Sequence, residues 1–168
     1  KGRDVLSRIV YGARTSLSVA VIATVVSMTI GLSLGLLSGY IGGKVDAVIT
    51  MLIDIVMAFP SLLLAIGISA VLPPGLYTVI IALGVVGWAS FARLMRGTVL
   101  TIKGLPYVES ARALGCSGYR VALWHILPNA LPIAIVVASL RIGGFILAEA
   151  SLSFLGLGAQ PPIPTWGS

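Results

Sequence analysis

The residues able to do chemistry in this 168-residue chain are few, and one run gathers several: Glu109-Ser110-Ala111-Arg112-Ala113-Leu114-Gly115, followed by Leu127-Pro128. An anion, a cation and small side chains on one short helix suit docking to another protein. Small residues permit close approach, and charges give the contact direction. Three further charged residues stand apart. Asp54 and Arg141 interrupt long apolar runs, and Glu149 follows Arg141 by two turns. A charge inside an apolar helix is costly and faces protein or water rather than lipid. Asp54 and Arg141 therefore either line a polar path or pair between helices, or Arg141 reaches a neighbouring subunit. No catalytic constellation is evident. There is no glycine-rich phosphate loop with its lysine, so no cofactor site and no ATP hydrolysis are expected of this chain itself. The lone His125, near a helix end, reads as a residue compatible with the helix dipole rather than a metal ligand. Cys116, the single cysteine, excludes an internal disulfide or a cysteine metal cluster.

The elements that hold these residues follow from composition. The chain is 58% hydrophobic and 10% charged, with a mean hydropathy of +1.09. A soluble domain carries about 25% charged residues, so this chain must turn apolar side chains toward lipid. Its net charge of +6 sits in short clusters between apolar runs, a pattern of loops beside anionic lipid rather than of nucleic-acid binding. Residues 15–43 carry no charge, more than the roughly 20 residues a helix needs to cross the hydrocarbon. Four spans are expected, at about 15–38, 46–72, 77–92 and 129–149 of a single domain covering 1–168, with a charged loop at about 93–127. The glycines at 39, 42 and 43 are expected to end the first span, Pro60 to interrupt the second, and Pro73-Pro74-Gly75 to end it. The fold class is all-α: a polytopic transmembrane helical bundle.

Topology follows from basic residues near span ends. One side holds six, Lys44, Arg93, Arg96, Lys103, Arg112 and Arg120, and the other four, Lys1, Arg3, Arg8 and Arg14. The long loop is thereby assigned to the cytoplasm and the N-terminal segment to the outside. The chain begins at Lys1 rather than Met and stops at Trp166-Gly167-Ser168 without a polar tail, so it reads as a piece of a longer protein.

Within the loop, Pro106 can open a helix because its missing donor is unneeded in the first turn. Glu109 then lies near the N-terminal end, where the dipole favours an anion. Gly115 can end the helix in the left-handed conformation. Ser117 can cap a second helix over about 118–126, which Pro128 would close. Two short helices meeting at a glycine form an elbow, basic and mixed with Tyr107, Leu114, Tyr119 and Trp124. A mere tether needs neither the caps nor this length.

At these residues the chain resembles a known family. Glu109-Ser110-Ala111, three residues, Gly115, then Leu127-Pro128 is similar to the cytoplasmic "EAA" signature of permease subunits of ATP-binding-cassette importers. Ser110 stands for the first alanine of that signature, and His125 stands where isoleucine is usual. Gly2-Arg3-Asp4-Val5-Leu6-Ser7-Arg8, Tyr11-Gly12-Ala13-Arg14, Ser38-Gly39-Tyr40-Ile41-Gly42-Gly43, Ala58-Phe59-Pro60 and Ser153-Phe154-Leu155-Gly156-Leu157-Gly158 resemble the dipeptide/oligopeptide/nickel branch. The resemblance implies a type I permease fold, of which this chain is a core fragment, in a prokaryotic inner membrane. It also implies a homologous permease partner, two ATP-binding subunits that carry the ATP, and an extracytoplasmic substrate-binding protein. The loop would dock on an ATPase subunit through Glu109, Ser110, Ala111, Arg112, Leu114 and Gly115. Asp54, Arg141 and Glu149 would belong to the translocation path or to pairing between spans. The implied cargo is a dipeptide or oligopeptide, with nickel as the alternative within the family. A secondary transporter or channel, whose loop only sets topology, is the alternative from another class. Gly31 and Gly35 form a small-xxx-small pattern for close helix packing, with the partner permease as a candidate neighbour.

Overall fold

The computed structural model describes residues 5–167, with Leu6 by its backbone alone. Among them every regular element is helical: α1 (Val5–Ile41), α2 (Gly43–Met57), α3 (Ser61–Val71), α4 (Leu76–Lys103), α5 (Pro106–Ala113), the short turn α6 (Gly118–Arg120), a π-helical segment (Val121–Ile126) and α7 (Leu127–Phe154). Lys1 and Arg3 of the charge count, the Gly2-Arg3-Asp4 part of the N-terminal resemblance, and Ser168 lie outside the described residues.

Three helical stretches are long and apolar enough to cross a membrane: Ser7–Ile41, Leu76–Lys103 and Gly118–Phe154. A fourth exists if Gly43–Met57 and Ser61–Val71, bent at the break between them, form one crossing. Several boundaries differ from the sequence expectation, each for a local reason. α1 begins well before the uncharged run and carries Arg8 and Arg14, because charge ends a span but not a helix. It also passes Gly39 and stops only at Gly42, whose φ of 72° leaves the right-handed region. α4 continues eleven residues beyond 92, to Lys103. The first part of the expected loop is therefore helix.

The expected stop at Pro128 is absent too: both Pro128 and Pro132 lie within a continuous helical stretch, Gly118–Phe154. Proline lacks a donor, and its ring crowds the carbonyl one turn earlier. Here the preceding turns widen into the π-helix, and the Leu127 N–H donates five residues back to the Ala122 carbonyl. Asn129 Nδ2 donates to the His125 carbonyl at 2.7 Å. The Tyr107 hydroxyl donates to the same oxygen at 3.3 Å. Side chains thus satisfy backbone beside the proline, which is how helices tolerate it.

The chain divides into two compact units. Of the described residues, the first comprises 5–27, 59–87 and 138–167. Its core joins Val19, Ala20 and Ala23 of α1 with Ala65 of α3, Val79, Ala82, Leu83 and Val86 of α4, and Phe145 and Leu152 of α7. The C-terminal tail returns to α1. Trp166 Nε1 donates to the Ile9 carbonyl at 3.0 Å, and its backbone N–H donates to Ser16 Oγ at 3.2 Å.

The second unit comprises residues 28–58 and 88–137. Its larger cluster gathers Leu32 and Leu36 of α1, Met95, Val99 and Ile102 of α4, Val108 and Ala111 of α5, the π-segment's Val121, Ala122 and Ile126, and Ala130 and Ala134 of α7. A smaller one joins Ile49 and Ile53 of α2 to Ala89 and Ala92 of α4. Here Gly31, Gly35 and Gly39 form a groove in α1 that α4 fills. A Cβ on Gly31 would lie 2.6 Å from the Trp88 carbonyl oxygen, and on Gly35 2.5 Å from that of Ala92. On Gly39 it would lie 2.9 Å from Val99 Cβ. The small-residue pattern is thus occupied within the chain by α4, not left open for a partner, and it extends one turn beyond the sequence reading.

Gly35→Ala should force α1 from α4 and lower stability by about 1–3 kcal/mol. Gly67, in α3, has open space around a Cβ, so Gly67→Ala should be neutral or gain up to about 1 kcal/mol in helix propensity. Thermal unfolding of the detergent-solubilised protein checks both, and the opposite ranking would refute the groove.

Candidate functional site

The elbow is built from its caps. Pro106 occupies the first turn of α5, with Glu109 close behind. At the other end, the Gly115 N–H donates to the Arg112 carbonyl at 2.9 Å, and the Cys116 N–H to that of Ala111 at 3.1 Å. This pair of bonds is the Schellman motif, which needs a left-handed residue between helix and exit. Gly115 supplies it with φ 83°. A Cβ there would meet nothing within 4 Å, so glycine is required by backbone conformation and not by space. The second arm differs from expectation. Ser117 makes no side-chain cap bond, and the arm is one short turn leading into the π-helix rather than a separate helix.

α5 has two sides. Val108 and Ala111, three residues apart, are buried against Val121, Ala122 and Ile126. Of the residues expected to dock, Ala111 therefore points into its own chain. Glu109, Ser110 and Leu114 are exposed, and Leu114 is 86% exposed. The Ser110 hydroxyl donates to the Pro106 carbonyl at 2.9 Å, holding the first turn. Arg112 has its guanidinium 5.4 Å from the centroid of the Tyr40 ring. Lys103 Nζ lies 5.7 Å from the same centroid and donates to the Tyr40 carbonyl at 2.8 Å. Tyr40 had given no sign of this role in the sequence, because an aromatic residue at a span end is an ordinary interfacial anchor.

A second polar cluster joins α2 to α4. Arg96 grips Asp46 with both arms of its guanidinium, Nε to Oδ1 at 2.6 Å and Nη2 to Oδ2 at 2.7 Å. Ser38 Oγ donates to Asp46 Oδ1 at 2.5 Å, and Thr50 Oγ1 donates to it at 3.3 Å. Two turns along α2, Asp54 pairs with Arg93. These are the ion pairs among the described residues. Asp46, Thr50 and Asp54 share one side of α2 at four-residue spacing and, with Arg96, line an open cleft. The sequence pointed to Asp54; Asp46, Arg93 and Arg96 were missed, though the 46/50/54 spacing is visible. Arg141 is exposed. Glu149 is fully buried and accepts from Ser153 Oγ at 2.7 Å, while its Oε2 has no hydrogen-bond partner.

Comparison with known proteins supplies the family and a shared fold. The chain is 46% identical over 167 residues to the glutathione transport system permease protein GsiD of Pectobacterium atrosepticum, covering 99% of this chain and 56% of that protein. It is 49% identical to the protein of the same name from Shigella flexneri, covering 99% and 55%. The chain thus spans about half the length of the curated relatives it matches. The inward-facing MetNI methionine ABC transporter shares the fold, with a TM-score of 0.82 over 95% of this chain and 79% of that one, at 20% identity. Residues 31–168 match the family as a whole. The chain belongs to the family of binding-protein-dependent transport system inner membrane components.

Proposed function

We propose that this chain is the core of a permease subunit in an ATP-driven importer, and that its elbow docks an ATP-binding subunit. The observation that carries the reading is the elbow's division. A capped helix is anchored by Val108 and Ala111 while Glu109, Ser110 and Leu114 stand free. An apolar side chain that is 86% exposed on a segment that also exposes an acid suits a protein groove, not lipid and not bulk water. Small hydrophobic anchors rimmed by polar residues are the usual anatomy of such contacts. A rigid helix can also transmit a rigid-body rotation, which a floppy loop cannot. ATP belongs to the partner subunits, and a second permease and an extracytoplasmic binding protein complete the assembly in a bacterial inner membrane, with the elbow in the cytoplasm.

The cargo is a small peptide-like molecule. Support comes from relatives described as glutathione transport permeases, which favour a peptide over nickel. A channel or secondary transporter is disfavoured by membership of a family described as binding-protein-dependent and by an elbow with nothing to dock. The cleft bearing Asp46, Thr50 and Asp54 faces the translocation path or the partner permease. Asp54 and Arg93 have side chains 60% and 51% exposed, and exposed charge on otherwise apolar helices meets water or protein rather than hydrocarbon. Arg141, exposed on α7, meets a partner or the path by the same argument. Glu149, being buried, acts within its own unit.

Gly115→Leu places a branched side chain at positive φ, which costs roughly 1–2 kcal/mol, about a tenfold shift in a two-state equilibrium. Uptake per ATP hydrolysed by the assembled complex should fall by about that factor while membrane insertion is unchanged. Normal coupled uptake would sink the docking proposal. In a Cys116→Ser background, Asp54→Cys should react with a membrane-impermeant thiol reagent in the complex. Leu52→Cys, on another side of α2, should not. Equal labelling of the two would rule out a cleft open to a wet translocation path.

A further inference from the structure

Tyr40 touches more of the elbow's supports than any residue chosen for docking. It stands in the last turn of α1, where backbone carbonyls lack partners within the helix. The Lys103 ammonium fills that role at 2.8 Å. Lys103 is the last residue of α4, so this bond ties the end of α1 to the end of α4. On the ring itself lie two cations, Lys103 from α4 and Arg112 from α5, both within the roughly 6 Å range of cation–π attraction. At the far end, a Cβ on Gly118 would lie 3.2 Å from the Tyr40 hydroxyl oxygen, so the second arm starts against the phenol. One side chain of α1 therefore meets α4, α5 and α6.

The rest of the elbow's attachment has a different character. Val108 and Ala111 bury apolar surface, and apolar burial is non-directional. It would tolerate α5 sliding or rolling on the core. A cation over an aromatic face has a preferred position, and Arg112 sits in the last turn of α5, one turn from the Gly115 stop. The ion pairs among the described residues use Arg93 and Arg96, not Arg112. The ring is what orients the guanidinium.

We propose that Tyr40 is the positioning residue of the elbow. Its ring, holding Arg112 and Lys103 together at the end of α1, makes a displacement of α5 move α1 and α4 with it. The inference rests on the docking reading above and adds how motion leaves the elbow. It assigns the effect to the aromatic face and not to the hydroxyl.

The assembled transporter, with its ATP-binding subunits, supplies the test through two readouts: co-purification of those subunits, and uptake per ATP hydrolysed. Tyr40→Leu should leave co-purification intact and lower uptake per ATP by about tenfold, the scale of losing two cation–π contacts. Tyr40→Phe and Tyr40→Trp should retain coupling. From the other partner, Arg112→Lys should retain it and Arg112→Gln should lose it. That series remains readable even where Tyr40→Leu fails to accumulate. The combination Tyr40→Leu with Arg112→Gln should cost little more than Tyr40→Leu alone, because the Arg112 contact is already lost with the ring. Coupling unchanged in Tyr40→Leu, Tyr40→Phe as poor as Tyr40→Leu, Arg112→Lys as poor as Arg112→Gln, or additive losses would each overturn the proposal. Failure of the unaltered chain to co-purify with an ATP-binding subunit would instead overturn the docking reading itself, so the two failures are separable.

Discussion

The second unit depends on how closely α1 approaches α4. Gly31, Gly35 and Gly39 offer no side chain toward α4, and backbone of Trp88, Ala92 and Arg96 fills the space. Between helices in lipid the hydrophobic effect supplies no net drive, so association comes from packing and polar contacts. Dispersion is weak per atom pair and falls off steeply with a gap. Closeness therefore does the stabilising, and it also fixes register. Tyr40 follows Gly39 in sequence, and the close approach delivers its carbonyl to Lys103. A slip of one helical turn, about 5.4 Å, would separate that pair. The elbow's support is thus a consequence of three absent side chains a few turns away.

The same register decides which charges meet. Asp46 and Asp54 lie two turns apart on α2, and Arg96 and Arg93 on α4 answer them. A charge within an apolar segment is tolerable when compensated, and removing one partner leaves the other uncompensated. These pairs therefore act less as glue than as a specification of which side of α2 may face α4. The Asp46 carboxylate accepts from three side chains, two of them from other helices, so it pins the α1–α2 turn as well.

Long apolar runs made the helices legible in the sequence, and Gly115 made the elbow's corner legible, because positive φ is the chemistry of very few residues. Residues 93–103 were illegible as helix for a clear reason. A hydropathy reading treats Arg93 and Arg96 as the end of a span, but between 92 and Lys103 only Gly97 weakens the helix and nothing breaks it. Pro128 misled in the opposite direction. Whether a proline stops a helix depends on whether the turn before it can widen and whether side chains brace the backbone beside it. Asn129 is adjacent in sequence, but Tyr107 reaches His125 from eighteen residues away. Asp54 was legible as a residue needing company. Its partner Arg93, thirty-nine residues along, was one of several available cations, and only the packing of α2 on α4 selects it.

The elbow's rigidity has to come from outside α5. Eight residues are fewer than the roughly 12–15 an isolated helix needs to hold itself in water. The Schellman bonds fix its exit, Ser110 braces its entry, Val108 and Ala111 fix its inner side to the core, and the exposed Arg112 reaches the Tyr40 ring. With its order already imposed from within, Glu109 and Leu114 are presented to a partner with little conformational freedom left to lose. Preorganisation of that kind lowers the cost of association without adding a contact. It also means that the inner residues govern how faithfully the helix carries motion, while the outer ones govern how tightly it is held.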